Sequence, residues 1–209
     1  MKALIKVVGL NFIFKINSAI WFLILKLKGI KVGRNFYIEG VIFLKLKGDD
    51  YSKISIGNNV SINGDLDLRT RESGKIIIKN DINFDSDIRI VAARNSEINI
   101  ENGVRIGRNT MIVAGEDVKI GANVLIGPNS LIQTSNHGFS NPGDIKGQKY
   151  SHKRIEIENG SWIATCVILL PGAFIGEGSV IGAGSVVSKK ISPKSIVSTP
   201  PAKIISKRS

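Results

Sequence analysis

The chain has 209 residues, enough for one substantial domain with a sizeable core, and is rich in glycine (22 residues) and poor in aromatics (6%), a balance that favours β structure with many turns. Its net charge of +12 sits at the two ends: seven basic and no acidic residues precede Glu39, six basic residues follow Glu177, and the middle carries about −1, which excludes a nucleic-acid surface of interleaved basic and aromatic residues. The single cysteine, Cys166, excludes an internal disulfide and makes a cytoplasmic, reducing compartment the expected one.

Residues 1–30 begin "MKALIKVVGLNFIFKINSAIWFLILKLK", apolar apart from spaced lysines, and predict a helix. Its longest uncharged run, residues 16–25, is shorter than the ~20 residues that cross a hydrocarbon core, and no small-residue cleavage site follows. Two roles stay open for it. It lies in a membrane interface as a peripheral contact on the inner face, with its lysines among anionic headgroups, or it packs against another subunit.

Residues 31–192 repeat every six. From Val32 onward an aliphatic or aromatic residue recurs at Ile56, Ile62, Leu68, then Ile78, Phe84, Ile90, Ile100, Ile106, Ile112, Ile120, Ile126 and Ile132, and again at Ile157, Ile163, Leu169, Ile175, Ile181 and Val187. The residue two places earlier shares its face in a strand, and there the chain has small or β-branched residues, among them Val60, Val104, Thr110, Val124, Ser130, Ser161, Ser179 and Ser185. Short strands with corners every six residues predict a parallel β-helix rather than a sandwich. Extra residues cluster near every third corner ("RTRESGKI", "VAARNSEI", "VAGEDV") and predict bulges there.

The repeat stops once, at residues 133–156, where "QTSNHGFSNP" carries one of the two histidines. Taken alone, His137 could be a turn histidine bonded within its loop. Cys166, in "WIATCVILL", has no base beside it and is expected as a plain small residue rather than a nucleophile. His137 and His152 have no third ligand at metal-binding spacing, so no metal is expected. Neither a nucleophile elbow nor a phosphate loop is present in the sequence.

From about residue 118 to 208, the stretches "VKIGANVLIGPNSLIQTSNHG", "SWIATCVILLPGAFIGEGSVIGAGSVVSKKI" and "PPAKII" resemble the hexapeptide-repeat acyltransferases. The resemblance is to the branch of galactoside, maltose and nodulation-factor O-acetyltransferases and polysaccharide-biosynthesis acetyltransferases. It implies an all-β fold: a left-handed parallel β-helix, with the apolar helix at its N-terminus and a short basic tail at residues 193–209. It also implies acetyl-CoA as co-substrate, a sugar or saccharide as acceptor, a homotrimer with its sites between subunits, and no metal. His137 would be the general base, with Ser135 and Asn136 near the acceptor. A histidine with a pKa near neutrality suits this chemistry, because the thioester is already activated and only the alcohol must lose a proton.

The coenzyme would run past Trp162, Thr165 and Ala183, with Ser188, Lys189 and Lys203 toward its nucleotide end. Each has an alternative: Trp162 as a cap on its coil, the lysines as a solvated tail. His152 is expected to be a surface or loop-packing residue. Three departures from the family pattern bear on the coenzyme contacts: "WIATC" where a small residue usually follows "WIG", Ser198, Thr199, Pro200 and Pro201 before Ala202, and Lys190 where Asp or Asn is usual. The other readings are an acetyltransferase of a free small molecule (serine, a simple sugar, an antibiotic) and a non-catalytic β-helix scaffold.

Overall fold

The computed structural model describes residues 9–198 and 200–208. Short parallel strands stack into three sheets, which form the faces of a prism. The first face runs from Lys31–Val32 to Lys190–Ile191, the second from Tyr37–Ile38 to Ser195–Ser198, and the third from Ile42–Leu46 to Val186–Val187. This is a β-solenoid of seven full coils and a partial eighth. The interruption at residues 133–156 leaves the stacking intact: Val118 still pairs with Ile155 and Ile120 with Ile157.

The six-residue frame accounts for the core. All eighteen positions read from the sequence are at most 4% exposed, and the small residues two places before them are buried beside them. The frame also runs on at both ends, since Ile38 pairs with Ile62, Leu44 with Leu68, Ile175 with Ile191 and Ile181 with Val197. Each fully buried aliphatic contributes about 1.5–3 kcal/mol, so the column rather than any single contact holds the solenoid.

The corners select residues by backbone geometry. At the second corner, joining the second and third faces, Asp87, Asn109, Asn129, Cys166 and Gly184 all have φ between 55° and 68°. That left-handed region suits Gly, Asn and Asp, and Cys166 is the exception in its column. At the first corner, asparagines also tie coil to coil. Arg34 N–H donates to Asn58 Oδ1, Asn58 N–H to Asn80 Oδ1 and Asn80 N–H to Asn102 Oδ1 at 2.8–2.9 Å.

At the third corner the coils differ in length. Val32 to Ile56 is 24 residues, Ile56 to Ile78 and Ile78 to Ile100 are 22 each, Ile100 to Ile120 is 20, Ile157 to Ile175 is 18 and Ile175 to Ile191 is 16. The surplus residues, 47–53, 71–74, 93–96 and 115–117, project along one edge of the prism. The loop at 134–154 leaves from the same edge.

The apolar N-terminal segment forms a helix over Leu10–Leu27; residues 1–8 of the expected helix, with Lys2 and Lys6, lie outside the described residues. The helix crosses the open end of the prism. Asn17 Nδ2 donates to the carbonyls of Gly40 and Ile38 at 2.8 and 3.1 Å, and Ser18 Oγ accepts from Ile38 N–H at 2.8 Å. Leu25 is fully buried, and Trp21 and Phe22 pack against the core. At the other end the tail turns back, and Lys203–Lys207 pairs antiparallel with Ser195–Ser198 on the edge of the second face.

Candidate functional site

The loop starts from a buried anchor. Thr134, fully buried, accepts Gly115 N–H at 2.8 Å and Glu116 N–H at 3.1 Å on its Oγ1, while its carbonyl accepts Lys153 N–H from the returning chain. Beyond it the two limbs form a short antiparallel ladder, Ser135 opposite His152 and Asn136 opposite Ser151. Further out, Gln148 bonds both ways with the Asn141 backbone, and Asp144 accepts Lys146 N–H to start a single 3₁₀ turn at Ile145–Gly147.

Three rings gather where the limbs meet. His137 and Tyr150 have ring centroids 4.3 Å apart at 49°, and Tyr150 stacks at 6.2 Å and 17° on His152. Ser135 Oγ lies 2.8 Å from His152 Nδ1. His137 Nδ1 lies 3.2 Å from the Gly138 carbonyl. A carbonyl can only accept, so Nδ1 carries the proton in that bond and Nε2 of the neutral ring keeps its lone pair. This is the arrangement a general base requires.

Gly115 makes the cluster possible. A Cβ there would stand 2.6 Å from Ser135 Oγ and 2.9 Å from His152 Nδ1, so the serine–histidine pair rests directly on the backbone of the coil above.

The residues expected near a coenzyme lie elsewhere on the prism. Trp162 points outward from the second face, half exposed, between Leu125 and Val180. Thr165, at the second corner, donates to the Pro128 carbonyl at 3.0 Å, and Ala183 is exposed at the same corner one coil on. Ser188 and Lys189 are exposed at the third corner two coils past the loop, and Lys203 opens the reversed final strand. The second face lies opposite the third corner, so Trp162 and His137 occupy opposite sides of one chain. Ser135, Asn136 and His137 come together with each other and with Tyr150 and His152. His152 packs within the loop, as the sequence led one to expect, whereas Tyr150 has no signal in a six-residue frame, because that frame says nothing of antiparallel pairing between the loop's limbs. Among the described residues no group of three or more His, Cys, Asp or Glu could hold a metal ion.

No family model matches the chain. The galactoside O-acetyltransferase of Escherichia coli is 41% identical over 88 residues, 42% of this chain and 43% of that protein, and the Lactococcus lactis enzyme of the same name is 43% identical over 81 residues, 39% and 38%. The chain therefore spans less than half the length of the curated relatives it matches. In fold it is similar to the Bacillus cereus N-acyltransferase AntD, solved with dTDP-4-amino-4,6-dideoxyglucose and coenzyme A, at a TM-score of 0.59 and 21% identity over 88% of each chain. It is also similar to the polysialic acid O-acetyltransferase OatWY, at 0.57 and 18% over 85% of this chain and 88% of that one. In fold the solenoid is thus similar to left-handed β-helix acyltransferases, the architecture expected from the sequence.

Proposed function

We propose that the chain is an acetyl-CoA-dependent O-acetyltransferase that acetylates a saccharide hydroxyl in exopolysaccharide, capsule or O-antigen assembly, working as a homotrimer with His137 as general base. The observation that carries this reading is the hydrogen bond from His137 Nδ1 to the Gly138 carbonyl, which in a neutral ring makes Nε2 the nitrogen with the lone pair, in a loop held over the prism edge. The acceptor hydroxyl gives its proton to Nε2 while its oxygen attacks the thioester carbonyl carbon. The carbon–sulfur bond then breaks, and the departing coenzyme thiolate takes up the proton. Tyr150, packed on the His137 ring, limits its rotation and excludes water from one side.

The coenzyme reading assigns Trp162, Thr165 and Ala183 of one subunit to the acetyl and pantetheine end, with Ser188, Lys189 and Lys203 near the phosphates, where ammonium groups complement the charge. Because His137 and Trp162 lie on opposite sides of a chain, a site that uses both is built from two neighbouring subunits. Sequence similarity to galactoside O-acetyltransferases supports a sugar acceptor.

The test is thiol release from acetyl-CoA across a panel of saccharides, for the wild type and for His137→Ala matched in oligomeric state. Acceptor-dependent release that falls by about 10² to 10⁴ in the variant is the expected result, the usual share of a positioned base. An unchanged rate in the variant would remove His137 from the reaction.

A further inference from the structure

The edge that carries the loop also carries every lengthened corner, and between them runs a groove of about 600 Å³. Its floor is made of small or β-branched residues of the third and fourth coils, Val91, Ala93, Val113 and Gly115, so a ligand could approach the backbone. Ser135, Tyr150 and His152 close one end.

The other walls are basic. Arg71 and Arg94 project from consecutive coils, joined by the Arg71 N–H bond to Ala92 and the Ser73 N–H bond to Arg94, and Lys149 faces them from the loop. One acid, Glu72, lines the groove with them, and it is already engaged: Arg94 N–H donates to its Oε2 at 2.8 Å and Lys47 lies 3.7 Å from Oε1. The Arg94 N–H bond, with the Lys47 and Arg71 charges, holds the Glu72 carboxyl below its ordinary pKa, so it stays an anion turned to the Arg94 backbone. Among the described residues Arg71, Arg94 and Lys149 appear in no ion pair.

We infer that the acceptor is an acidic saccharide, whose carboxylate or phosphate seats between Arg71, Arg94 and Lys149 while the hydroxyl to be acetylated reaches the His137–Tyr150–His152 end. Guanidinium groups match both anions through paired N–H donors. The inference rests on the acyl-transfer reading for its hydroxyl, but not for its anion.

The experiment uses the whole chain and an Arg71→Ser/Arg94→Ser variant, with melting curves to confirm folding. Thiol release is compared for a glucuronic acid oligosaccharide, a phosphorylated hexose and matched neutral sugars, and saturation-transfer NMR reads binding of the same sugars without coenzyme. Expected is a preference for one acidic class, which names the anion, and a fall of about tenfold to a hundredfold in the acidic-to-neutral kcat/KM ratio in the variant, with the NMR signal lost in parallel. Acetyl transfer that favours neutral sugars, or a ratio unmoved by the double substitution, overturns the groove and leaves the enzyme reading standing. Arginine-dependent binding of acidic sugars with no thiol release for any acceptor sinks the enzyme reading and keeps the groove.

A separate observation lies at the other end of the prism. At 100° per residue, Phe12, Ile16, Ile20, Leu23 and Leu27 fall within an arc of about 80°, and all are 47–78% exposed. Ser18 and Leu25, on the opposite side, face the solenoid. Lys15 and Lys26 lie together along one side of the exposed stripe, and Lys28, Lys31 and Arg34 follow before the first acid, Glu39.

We propose that this stripe rests on an anionic lipid surface. The Asn17 and Ser18 bonds to Ile38 and Gly40 hold the helix flat across the prism, so it can lie in an interface while keeping them and cannot cross the bilayer without breaking them. Sedimentation with phosphatidylcholine vesicles, with and without phosphatidylglycerol, tests this. Binding is expected only where phosphatidylglycerol is present, lost in Leu23→Ser/Leu27→Ser and weakened severalfold in Lys15→Glu/Lys26→Glu. No binding to either vesicle, or a Leu23→Ser/Leu27→Ser variant that falls to a smaller oligomer with its vesicle binding intact, makes the stripe a contact between copies and overturns the proposal.

Discussion

Gly115 sets how closely the loop approaches the coil above it. Alanine there suits the backbone, because Gly115 is not in the left-handed region, but its Cβ would press on Ser135 Oγ and His152 Nδ1. Both are side-chain ends that can swing away, so Gly115→Ala should cost about 1 kcal/mol, seen as a melting point lowered by roughly 2–4 °C. The loss in kcat/KM should be larger, on the order of tenfold, because the ring cluster is displaced; equal activity in the two proteins would separate the Ser135–His152 pair from function. His137 and Ser135 are legible in the sequence because they break a strict repeat. Gly115, Thr134 and Tyr150 are not, since each matters only once a limb of the loop folds back on a coil some 20 to 40 residues away. Cys166 is the exception at this scale: it stands in a left-handed corner taken by Asn, Asp or Gly in the coils around it.

The loop behaves as an excursion from the solenoid rather than a part of it. The coils above and below it pair in register, and Asn136 and Ser151 already stand opposite each other like the last pair before a tight turn. Replacing residues 137–150 with Asn-Gly should therefore close a two-residue hairpin and leave the melting point within a few degrees of the wild type. Acetyl transfer should be abolished, since His137 and Tyr150 leave with the loop. A variant that fails to fold would mean that the loop supports the coils it interrupts. The strands themselves were readable because two inward residues in six is a constraint that every coil must satisfy. The helix was readable as a helix, but its orientation was not: it is apolar nearly all round, and which side faces solvent is decided by where Asn17 and Ser18 find the exposed strand at residues 37–40.

At the scale of the whole molecule, the separation of His137 from Trp162 leads to a mixing experiment. If a site takes its base from one subunit and its tryptophan from the next, His137→Ala and Trp162→Ala are each inactive alone but complement when co-assembled. Random assortment in equal amounts places an intact residue on both sides of a site about one time in four, so activity should recover to about a quarter of wild type. No recovery in verified mixed oligomers would confine the site to one chain. The ends of the prism bear on a different property. A stack of parallel coils has no natural last member, because its terminal strands offer unpaired N–H and C=O groups to any further coil, including one from another molecule. Here the Asn17 and Ser18 side chains occupy those groups on Ile38 and Gly40, and the reversed strand at Lys203–Lys207 covers the second face at the far end. The helix is in this sense a chain terminator, and a protein stripped of it would be open to end-to-end polymerisation into fibres whose length is set by concentration rather than by sequence.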